Sequence, residues 1–239
     1  MKVHSQTDVG LVRTLNEDAC RTGLLGENGA WAVVCDGMGG ANGGEIASET
    51  AVKSIEEQIL ASYEEDFKSE EMKLMLSTLI FHANSAVYDM AQENESLKGM
   101  GTTIVVAIVL DNVAHAGDSR AYLLHNGNIM QITTDHSMVQ ELIKNGDLTV
   151  EQAKVHPQKN IITRALGVNP VVEIDYEKVP LAKDDRILIC TDGLTNYIEP
   201  EKIRNLADDM DSVSLADRLV ALAKENGGGD NITVAILDN

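Results

Sequence analysis

Short apolar runs that end at an aspartate beside glycine recur along this chain, and they constrain its fold more than any other pattern. The first run extends from Trp31 to Cys35 and leads into Asp36 and a cluster of glycines. An apolar run of this length, bounded by glycine, is typical of a strand buried on both faces. A carboxylate at the end of such a strand, followed by the pliable backbone of Gly37, suits a hard cation, although an Asp-Gly pair by itself is more often an ordinary turn.

The same pattern returns at Asp118 and Asp192, and Asp230 stands beside glycine at the start of the last predicted strand. Strand ends on one edge of a sheet are neighbours whatever their separation in the sequence, so we expect the four aspartates to meet. Carboxylates brought together in a poorly solvated cleft repel one another strongly unless cations neutralise them. Oxygen ligands favour Mg²⁺ or Mn²⁺, and zinc is disfavoured because the predicted ligands lack cysteine and the histidines have no metal-binding spacing.

Arg13 precedes two adjacent acids, Glu17 and Asp18. In isolation this stretch is equally compatible with a solvated turn. Beside a metal cluster, the planar and permanently charged guanidinium of Arg13 would bind the oxygens of a phosphate ester. Two metal ions can share one water and lower its pKa, so an acid cluster with metals and one arginine indicates phosphoryl chemistry.

Helical spacing of apolar residues predicts two long helices, over 44–60 and from Ser69 onward. The apolar stripe of the second helix is expected to run from Met72 to Met90 and to pack against a sheet. Three shorter helices are predicted: from Asp135–Ser137 to Lys144, from Pro200, and after a cap at Ser212 or Ser214.

Apolar runs with short links predict a set of strands in the middle of the chain, at 103–110, 113–118, 120–125 and 129–132. Asn126-Gly127 is a strong hairpin signal between the last two. We expect these four strands to form one antiparallel meander, because their links are short. Further strands are predicted at 171–179, from Arg186 and at 232–237, and residues 147–160 are expected to be irregular.

The composition indicates a globular protein with a sizeable core, since 44% of the 239 residues are apolar. No linker or repeat divides the chain, so we predict a single domain over 1–239. The net charge of −19 argues against nucleic acid as a partner. The three cysteines are expected to be reduced, and the lack of any long apolar run predicts no signal peptide, no membrane partner and a cytoplasmic location.

Eight short motifs follow one another in an order shared with one known family. They are Arg13-x-x-Asn-Glu-Asp18, Asp36-Gly-Met-Gly-Gly40, Gly101-Thr-Thr103, Gly117-Asp-Ser-Arg-Ala-Tyr122, Asp135-His-Ser137, Thr163-Arg-Ala-Leu-Gly167, Thr191-Asp-Gly193 and Asp230-Asn-Ile-Thr-Val234. Each motif is weak evidence alone, but together they span nearly the whole chain. In these residues the chain resembles the metal-dependent protein phosphatases of the type 2C (PPM) family, and among them the compact bacterial serine/threonine phosphatases.

The resemblance implies an α+β fold, a four-layer α/β/β/α sandwich of two antiparallel sheets flanked by helix pairs, with a flap near 138–160. It implies hydrolysis of phosphoserine and phosphothreonine in proteins by a metal-activated water, without a covalent enzyme intermediate. The implied cofactors are two Mn²⁺ or Mg²⁺ ions and a third, weaker one. The implied partners are phosphorylated proteins, including a cognate bacterial serine/threonine kinase, and the enzyme is expected to be a monomer.

The same resemblance assigns roles to the candidate site residues. Asp36 would bridge two metal ions, and the Gly37 carbonyl would bind one of them. Asp192 and Asp230 would hold the other ion, and Asp118 with Asp192 would hold the third. Around these ligands, Glu17 and Asp18 would contact metal-bound waters and Arg13 would bind the substrate phosphate.

Two positions depart from the family pattern. Met38 stands where eukaryotic relatives have a histidine that is a proposed general acid, and Ala41 stands where bacterial relatives often have one. No histidine is therefore assigned as the general acid, and we expect a metal-bound water to protonate the leaving oxygen. His115 and His136 are expected to have structural roles.

The alternative function is that of a catalytically impaired relative, which binds phosphoproteins as a regulator. Such a protein would be expected to lose metal carboxylates. Because all four aspartates are present, the sequence favours the enzyme.

Overall fold

The computed structural model describes residues 1–27, 29–39, 43–64, 67–109 and 112–239. Gly40 and Ala41 of the glycine motif, and Leu110 at the end of a predicted strand, lie outside the described residues.

Eleven strands and seven helices occur in the described residues. The strands are β1 Lys2–Asp8, β2 Asp18–Leu25, β3 Gly29–Met38, β4 Gly101–Thr102, β5 Ile104–Val109, β6 Asn112–Ala116, β7 Arg120–His125, β8 Asn128–Gln131, β9 Asp175–Lys178, β10 Arg186–Cys190 and β11 Ile232–Asp238. The helices are α1 Gly43–Ser62, α2 Ser69–Glu93, α3 Met138–Asn145, α4 Val150–Lys154, α5 Asp192–Thr195, α6 Pro200–Ala207 and α7 Ser212–Glu225. A 3₁₀ turn, Glu95–Leu97, follows α2.

The strands form two antiparallel sheets. The first has the order β1-β11-β10-β7-β8, and the second has the order β2-β3-β5-β6-β9, with the short β4 paired to β3. The helices α1 and α2 cover the outer face of the second sheet, and α5, α6 and α7 cover the outer face of the first. The predicted four-layer α/β/β/α sandwich is therefore confirmed.

Strand β3 shows why the apolar run at its centre is buried on both faces. Successive side chains of a strand point to opposite faces of the sheet. Trp31 and Val33 contribute to the core beneath α1 and α2, whereas Ala32 and Val34 contribute to the core between the two sheets. Both faces therefore exclude water, and the predicted doubly buried strand is confirmed. The strand continues past Asp36 because β4 extends the pairing to Met38.

The predicted four-strand meander is wrong. Strands β5 and β6 pair in the second sheet, whereas β7 and β8 pair in the first. The chain crosses between the sheets at Gly117, Asp118 and Ser119. Gly117 has a φ of +123°, a conformation that side chains disfavour. Short links usually join sheet neighbours, and this crossing places Asp118 where the two sheets adjoin.

Several smaller predictions need correction. The segment 147–160 is not wholly irregular, because Thr149 caps the short helix α4. The cap of α7 is Asp211, whose carboxylate accepts from the Ser214 amide, and not Ser212 or Ser214. The predicted strand at 171–179 is limited to β9.

Two further differences from the predictions concern α2 and β1. Met90 is 38% exposed and does not belong to the buried stripe of α2. Strand β1 was not predicted, because its polar residues do not resemble an apolar run.

No helix in the described ranges is both long and apolar enough to cross a lipid bilayer.

Candidate metal centre

Asp36 and Asp18 lie directly opposite each other in the antiparallel pairing of β3 with β2. Like charges directly opposite on neighbouring strands destabilise a sheet. Burial, and then the charge of Asp18, raise the pKa of Asp36 well above its ordinary value. This pair places two carboxylates at one end of the second sheet.

The backbone of Asp36 is held by the two threonines that follow Gly101. The Asp36 carbonyl accepts from the Thr103 amide at 2.9 Å and from the Thr102 hydroxyl at 2.9 Å. The Asp36 amide donates to the Thr103 hydroxyl at 2.9 Å, and that hydroxyl lies 2.8 Å from the hydroxyl of Ser119. Asp36 is therefore linked through one buried side chain to the crossing that carries Asp118.

Asp18 is held by hydroxyl groups from the other sheet. Thr191 and Thr233 both donate to Asp18 Oδ2, at 2.9 and 2.7 Å. Oδ1 of the same carboxylate is buried and has no hydrogen-bond partner among the described residues. Burial raises the pKa of Asp18 to about 7, against the lowering effect of the two hydroxyl groups. A buried carboxylate oxygen without a donor is a position for a cation or for a water bound to one.

Asp192 and Asp230 are brought together by a close backbone contact between α5 and the start of β11. A Cβ at Gly193 would overlap the Asn231 carbonyl, so only glycine permits this approach. Burial, followed by the charge of Asp230, raises the pKa of Asp192. The predicted Asp-Gly signal at Asp192 therefore marks close packing of two elements.

The loop that precedes β2 is fixed by Asn231. Its side-chain amide donates to the carbonyls of Val9 and Leu15, at 3.0 and 2.9 Å, and its oxygen accepts from the Glu17 amide at 2.8 Å. The Glu17 carbonyl in turn accepts from the Gly37 amide at 3.0 Å. A Cβ at Gly44 would meet the Glu17 carboxylate, which therefore lies against the first turn of α1.

Arg13 projects from the same loop onto Asp230. Its Nε and Nη2 atoms lie 3.0 and 3.2 Å from the two carboxylate oxygens, an arrangement in which the planar fork binds both. Half of the Arg13 side chain remains exposed to solvent, at 49%. The predicted phosphate-binding residue thus lies at the rim of the aspartate cluster.

Asp118 lies at the other side of the cluster. Burial, then the charges of Asp192 and Asp135, raise its pKa to about 7. Asp118 and Asp192 line one end of a cleft of about 630 Å³, which the flap helices α3 and α4 border. An ion pair of 2.8 Å between Lys154 and Glu199 joins the flap to the residue that precedes α6.

The aspartate cluster has the donor set of a hard divalent cation. Each of Asp36, Asp118 and Asp192 has its pKa raised by burial and by the neighbouring carboxylates. Several carboxylates held in one cleft are stable when cations neutralise them. Carboxylate oxygens and an unpartnered buried oxygen on Asp18 fit Mg²⁺ or Mn²⁺, whose preferred ligands are oxygens.

A second group of potential ligands does not form a metal site. The ligand atoms of His115, His136 and Asp175 lie within 4.8 Å of one another. The two imidazole rings, however, stack with 4° between their planes and 4.6 Å between their centroids. Metal ions bind imidazole nitrogens in the plane of the ring, and one ion cannot lie in two parallel, separated planes.

Met38 and His115 make packing and backbone contacts in this structure. The Met38 methyl group packs over Gly101, where a Cβ would meet it. His115 lies in the interior of β6 and its Nε2 is 2.9 Å from the Thr134 carbonyl. Ala41 lies outside the described residues.

Sequence reasoning did not identify five residues that hold the site. They are Thr102, Thr103, Thr191, Thr233 and Asn231, which hydrogen-bond to Asp36, Asp18 or the loop of Arg13. All five lie within the quoted motifs, so membership of a motif was the available signal. Their partners are distant in sequence, and only the fold reveals which carboxylate each one contacts.

Comparison with known proteins agrees with this geometry. The sequence profile of the family described as Protein phosphatase 2C matches residues 12–231. The serine/threonine phosphatase stp of Listeria welshimeri is 38% identical over 245 residues, which cover 100% of this chain and 96% of that protein.

Solved structures give the same result. The structure of the serine/threonine phosphatase Stp1 from Staphylococcus aureus has a TM-score of 0.90 and 34% identity, and the match covers 100% of this chain and 94% of that one. A structure of the catalytic domain of the phosphatase PstP in complex with two manganese ions has a TM-score of 0.83 and 32% identity, covering 99% and 97%. The chain therefore belongs to the protein phosphatase 2C (PPM) family, and it is a serine/threonine phosphatase of the bacterial type.

Proposed function

We propose that this phosphatase hydrolyses phosphoserine and phosphothreonine in proteins with a water that bridges two divalent metal ions. The observation that carries the proposal is the clustering of the buried aspartates. Burial raises the pKa of Asp36, and the charges of the neighbouring aspartates raise it further. Such a cluster is stable away from water only when cations neutralise its charges. Metal ions of this kind supply Lewis acidity, which lowers the pKa of a shared water and stabilises the oxygens that enter and leave.

The proposed ligands divide between the two sheets. Asp36 and the carbonyl of Gly37 come from β3 of the second sheet. Asp192 and Asp230 come from α5 and from the residues before β11 of the first sheet. Asp118, on the crossing between the sheets, is proposed as a ligand of a third, weaker ion together with Asp192. Mn²⁺ and Mg²⁺ are the proposed ions, and the relative that contains two manganese ions supports this assignment.

The remaining site residues bind and orient. Arg13 is proposed to bind the substrate phosphate, because its half-exposed side chain lies at the rim of the cluster, where its guanidinium fork contacts a carboxylate, that of Asp230. Glu17 and Asp18 are proposed to orient water around the ions. Because Met38 stands where eukaryotic relatives have a histidine, a metal-bound water is the proposed source of the proton for the leaving oxygen.

The cellular assignments rest on the same family. We propose that the substrates are phosphorylated proteins, including a cognate serine/threonine kinase that the enzyme opposes. A single domain over 1–239, a monomeric state and a cytoplasmic location are further parts of this proposal. The alternative, a catalytically impaired phosphoprotein-binding regulator, has less support because each proposed metal carboxylate is present.

The test is an assay of a phosphothreonine peptide with Mn²⁺, Mg²⁺ or EDTA. We expect turnover with either ion and none with EDTA, and binding of the peptide without turnover would support the regulator. Activity that survives EDTA or Asp36→Asn would overturn the metal-dependent mechanism.

A further inference from the structure

We propose that His136 is a positioning residue for Asp118, because it holds the backbone of Gly117 and thereby orients the Asp118 carboxylate. This inference rests on the proposed function, in which Asp118 binds the third metal ion. It assigns a residue outside the metal cluster to the geometry of that ion's site.

His136 holds both backbone polar groups of Gly117. The Gly117 amide donates to His136 Nδ1 at 3.1 Å. The Gly117 carbonyl accepts from the His136 amide at 2.9 Å. One residue thus makes two hydrogen bonds to the glycine that immediately precedes Asp118, and all of these groups are buried.

The position of the Asp118 carboxylate depends on that backbone. Gly117 has a φ of +123°, and a Cβ there would overlap the side chain of Thr103, so the chain turns in a conformation that needs glycine. Glycine has wide conformational freedom, and its backbone must be held by other contacts. Within the described residues, no side chain donates a hydrogen bond to the Asp118 carboxylate, so its position depends on the backbone that carries it.

His136 is itself rigidly placed, with only 6% of its surface exposed. Its ring stacks on that of His115. Its Nε2 lies 3.1 Å from Asp175 Oδ2, and Arg164 donates to the other oxygen of Asp175 at 2.8 Å. Since Nδ1 accepts from Gly117, the proton lies on Nε2 and is donated to Asp175. Burial lowers the pKa of His136, in agreement with this neutral form.

The same residue ties the base of the flap to the crossing. The His136 carbonyl accepts from the Thr163 amide at 2.8 Å, and the Ile161 carbonyl accepts from the Met138 amide at 2.8 Å. These two bonds close the segment 138–161 at its ends. His136 therefore joins the flap base, the stacked His115 and the residue before Asp118 into one unit through hydrogen bonds and ring stacking.

Two substitutions of His136 separate its two nitrogens. In His136→Asn the side-chain oxygen can take the place of Nδ1 and accept from the Gly117 amide, whereas the contact with Asp175 is lost. In His136→Gln a polar group can reach the place of Nε2, whereas the acceptor for Gly117 is lost. The side chains are otherwise similar in polarity, so the pair is a matched control.

Titration calorimetry with Mn²⁺ provides the measurement on the whole chain, with Asp118→Asn as the reference for loss of the third site. We expect His136→Asn to keep the third ion with an affinity near that of the wild type. We expect His136→Gln to weaken that ion by about 10- to 100-fold, the usual effect of losing an outer partner of a ligand. The two tighter ions should bind all variants equally.

Each other outcome overturns the inference. Equal affinity of the wild type and His136→Gln for the third ion excludes the positioning role, as does equal loss in His136→Asn and His136→Gln. If the wild type binds two ions only, the inference fails while the two-metal part of the proposed function stands. If it binds no ion, the proposed function itself fails.

A second measurement covers the case in which His136→Gln does not fold. Hydrogen exchange of the Gly117 amide in the metal-free wild type should be slow. In metal-free His136→Asn, which keeps an acceptor for that amide, exchange should be equally slow, and the third ion should bind with the affinity of the wild type. Fast exchange of the Gly117 amide in the wild type would overturn the role of His136, as would fast exchange in His136→Asn with an unchanged affinity for the third ion.

Discussion

The carboxylate of Asp18 accepts a hydrogen bond from the hydroxyl of Thr191, which lies 173 residues away in the sequence. Thr191 directly follows β10 of the other sheet. This bond joins the second sheet, which carries Asp36, to the residue that precedes Asp192. A second hydroxyl, from Thr233, donates to the same oxygen. Asp18 is thus a junction between the sheets, and its other oxygen is buried without a hydrogen-bond partner among the described residues.

Neutralising Asp36 should abolish activity and stabilise the metal-free protein. Asp36→Asn removes the proposed bridging ligand, so we expect the rate on a phosphothreonine peptide to fall by about 10³-fold or more. The same change removes one of several repelling charges, so the melting temperature measured in EDTA should rise. The rise that Mn²⁺ causes in the wild type should be lost.

Asp192→Asn is expected to behave in the same way, and Asp209→Asn, which changes an exposed acid just after the end of α6, is the matched control. A lower melting temperature of Asp36→Asn in EDTA would contradict the repulsion argument. Calorimetric melting with and without Mn²⁺ makes the comparison.

The metal-free protein should lose stability as the pH rises. The pKa values of Asp18 and Asp118 are raised from 3.8 to about 7 in the folded protein. The folded state therefore binds these protons more tightly than the unfolded state. Their stabilising contribution is complete below about pH 4 and is lost as the pH rises from about 4 to 7.

Melting temperatures measured in EDTA across this pH range test the sign. We expect the wild type to lose several degrees more than Asp118→Asn over the range, and excess Mn²⁺ to reverse the loss at pH 7. A pH dependence of Asp118→Asn identical to that of the wild type would show that the pKa of Asp118 is not raised.

Removing one hydroxyl from Asp18 should weaken the site without changing its shape. In Thr191→Val the isosteric side chain no longer donates to Asp18, and a buried acceptor loses a partner at a cost of about 1–3 kcal/mol in the free energy of unfolding. Metal affinity should fall as well, because protonation of Asp18 then competes more strongly. Thr22→Val, at a half-buried threonine of β2 away from the acids, is the control.

Urea unfolding and Mn²⁺ titration report the two effects of Thr191→Val separately. Loss of stability with unchanged Mn²⁺ affinity would show that Asp18 does not act on the metal centre.

Changing Arg13 should impair phosphate binding more than turnover. Arg13→Lys keeps the charge but loses the planar fork, so we expect KM for a phosphopeptide to rise by about 10-fold with a smaller change in kcat. Inhibition by inorganic phosphate should weaken in parallel. Arg218→Lys, which changes an arginine paired with Glu225 on the surface of α7, is the control. An unchanged KM in Arg13→Lys would exclude a contact with the phosphate.

Much of the fold was predictable from local patterns. The apolar run at Trp31 predicted a doubly buried strand, and the spacing of apolar residues predicted α1 and α2. The meander failed because link length does not specify the sheet that a strand joins. Strand β1 was missed because its polar residues pair with β11, and no local pattern reports such a partner.

The sequence pointed to the acids of the candidate site but not to the residues that hydrogen-bond to them. Asp36, Asp192 and Asp230 were identified because each follows or precedes an apolar strand beside glycine. Thr191 and Asn231 were not assigned roles, because a hydroxyl or an amide has no recognisable role until its partner is known.

The sequence by itself determined which segments are buried, where the glycines permit sharp turns and which carboxylates stand at the strand ends. These properties depend on neighbouring residues, and periodicity records them directly. Only the tertiary structure decided that the chain crosses between the sheets at Gly117, that Asp18 faces Asp36, and that Thr191 reaches Asp18 from the other sheet. The physical reason is that such contacts are long-range: each is fixed by the packing of two sheets, whose pairing no single segment specifies.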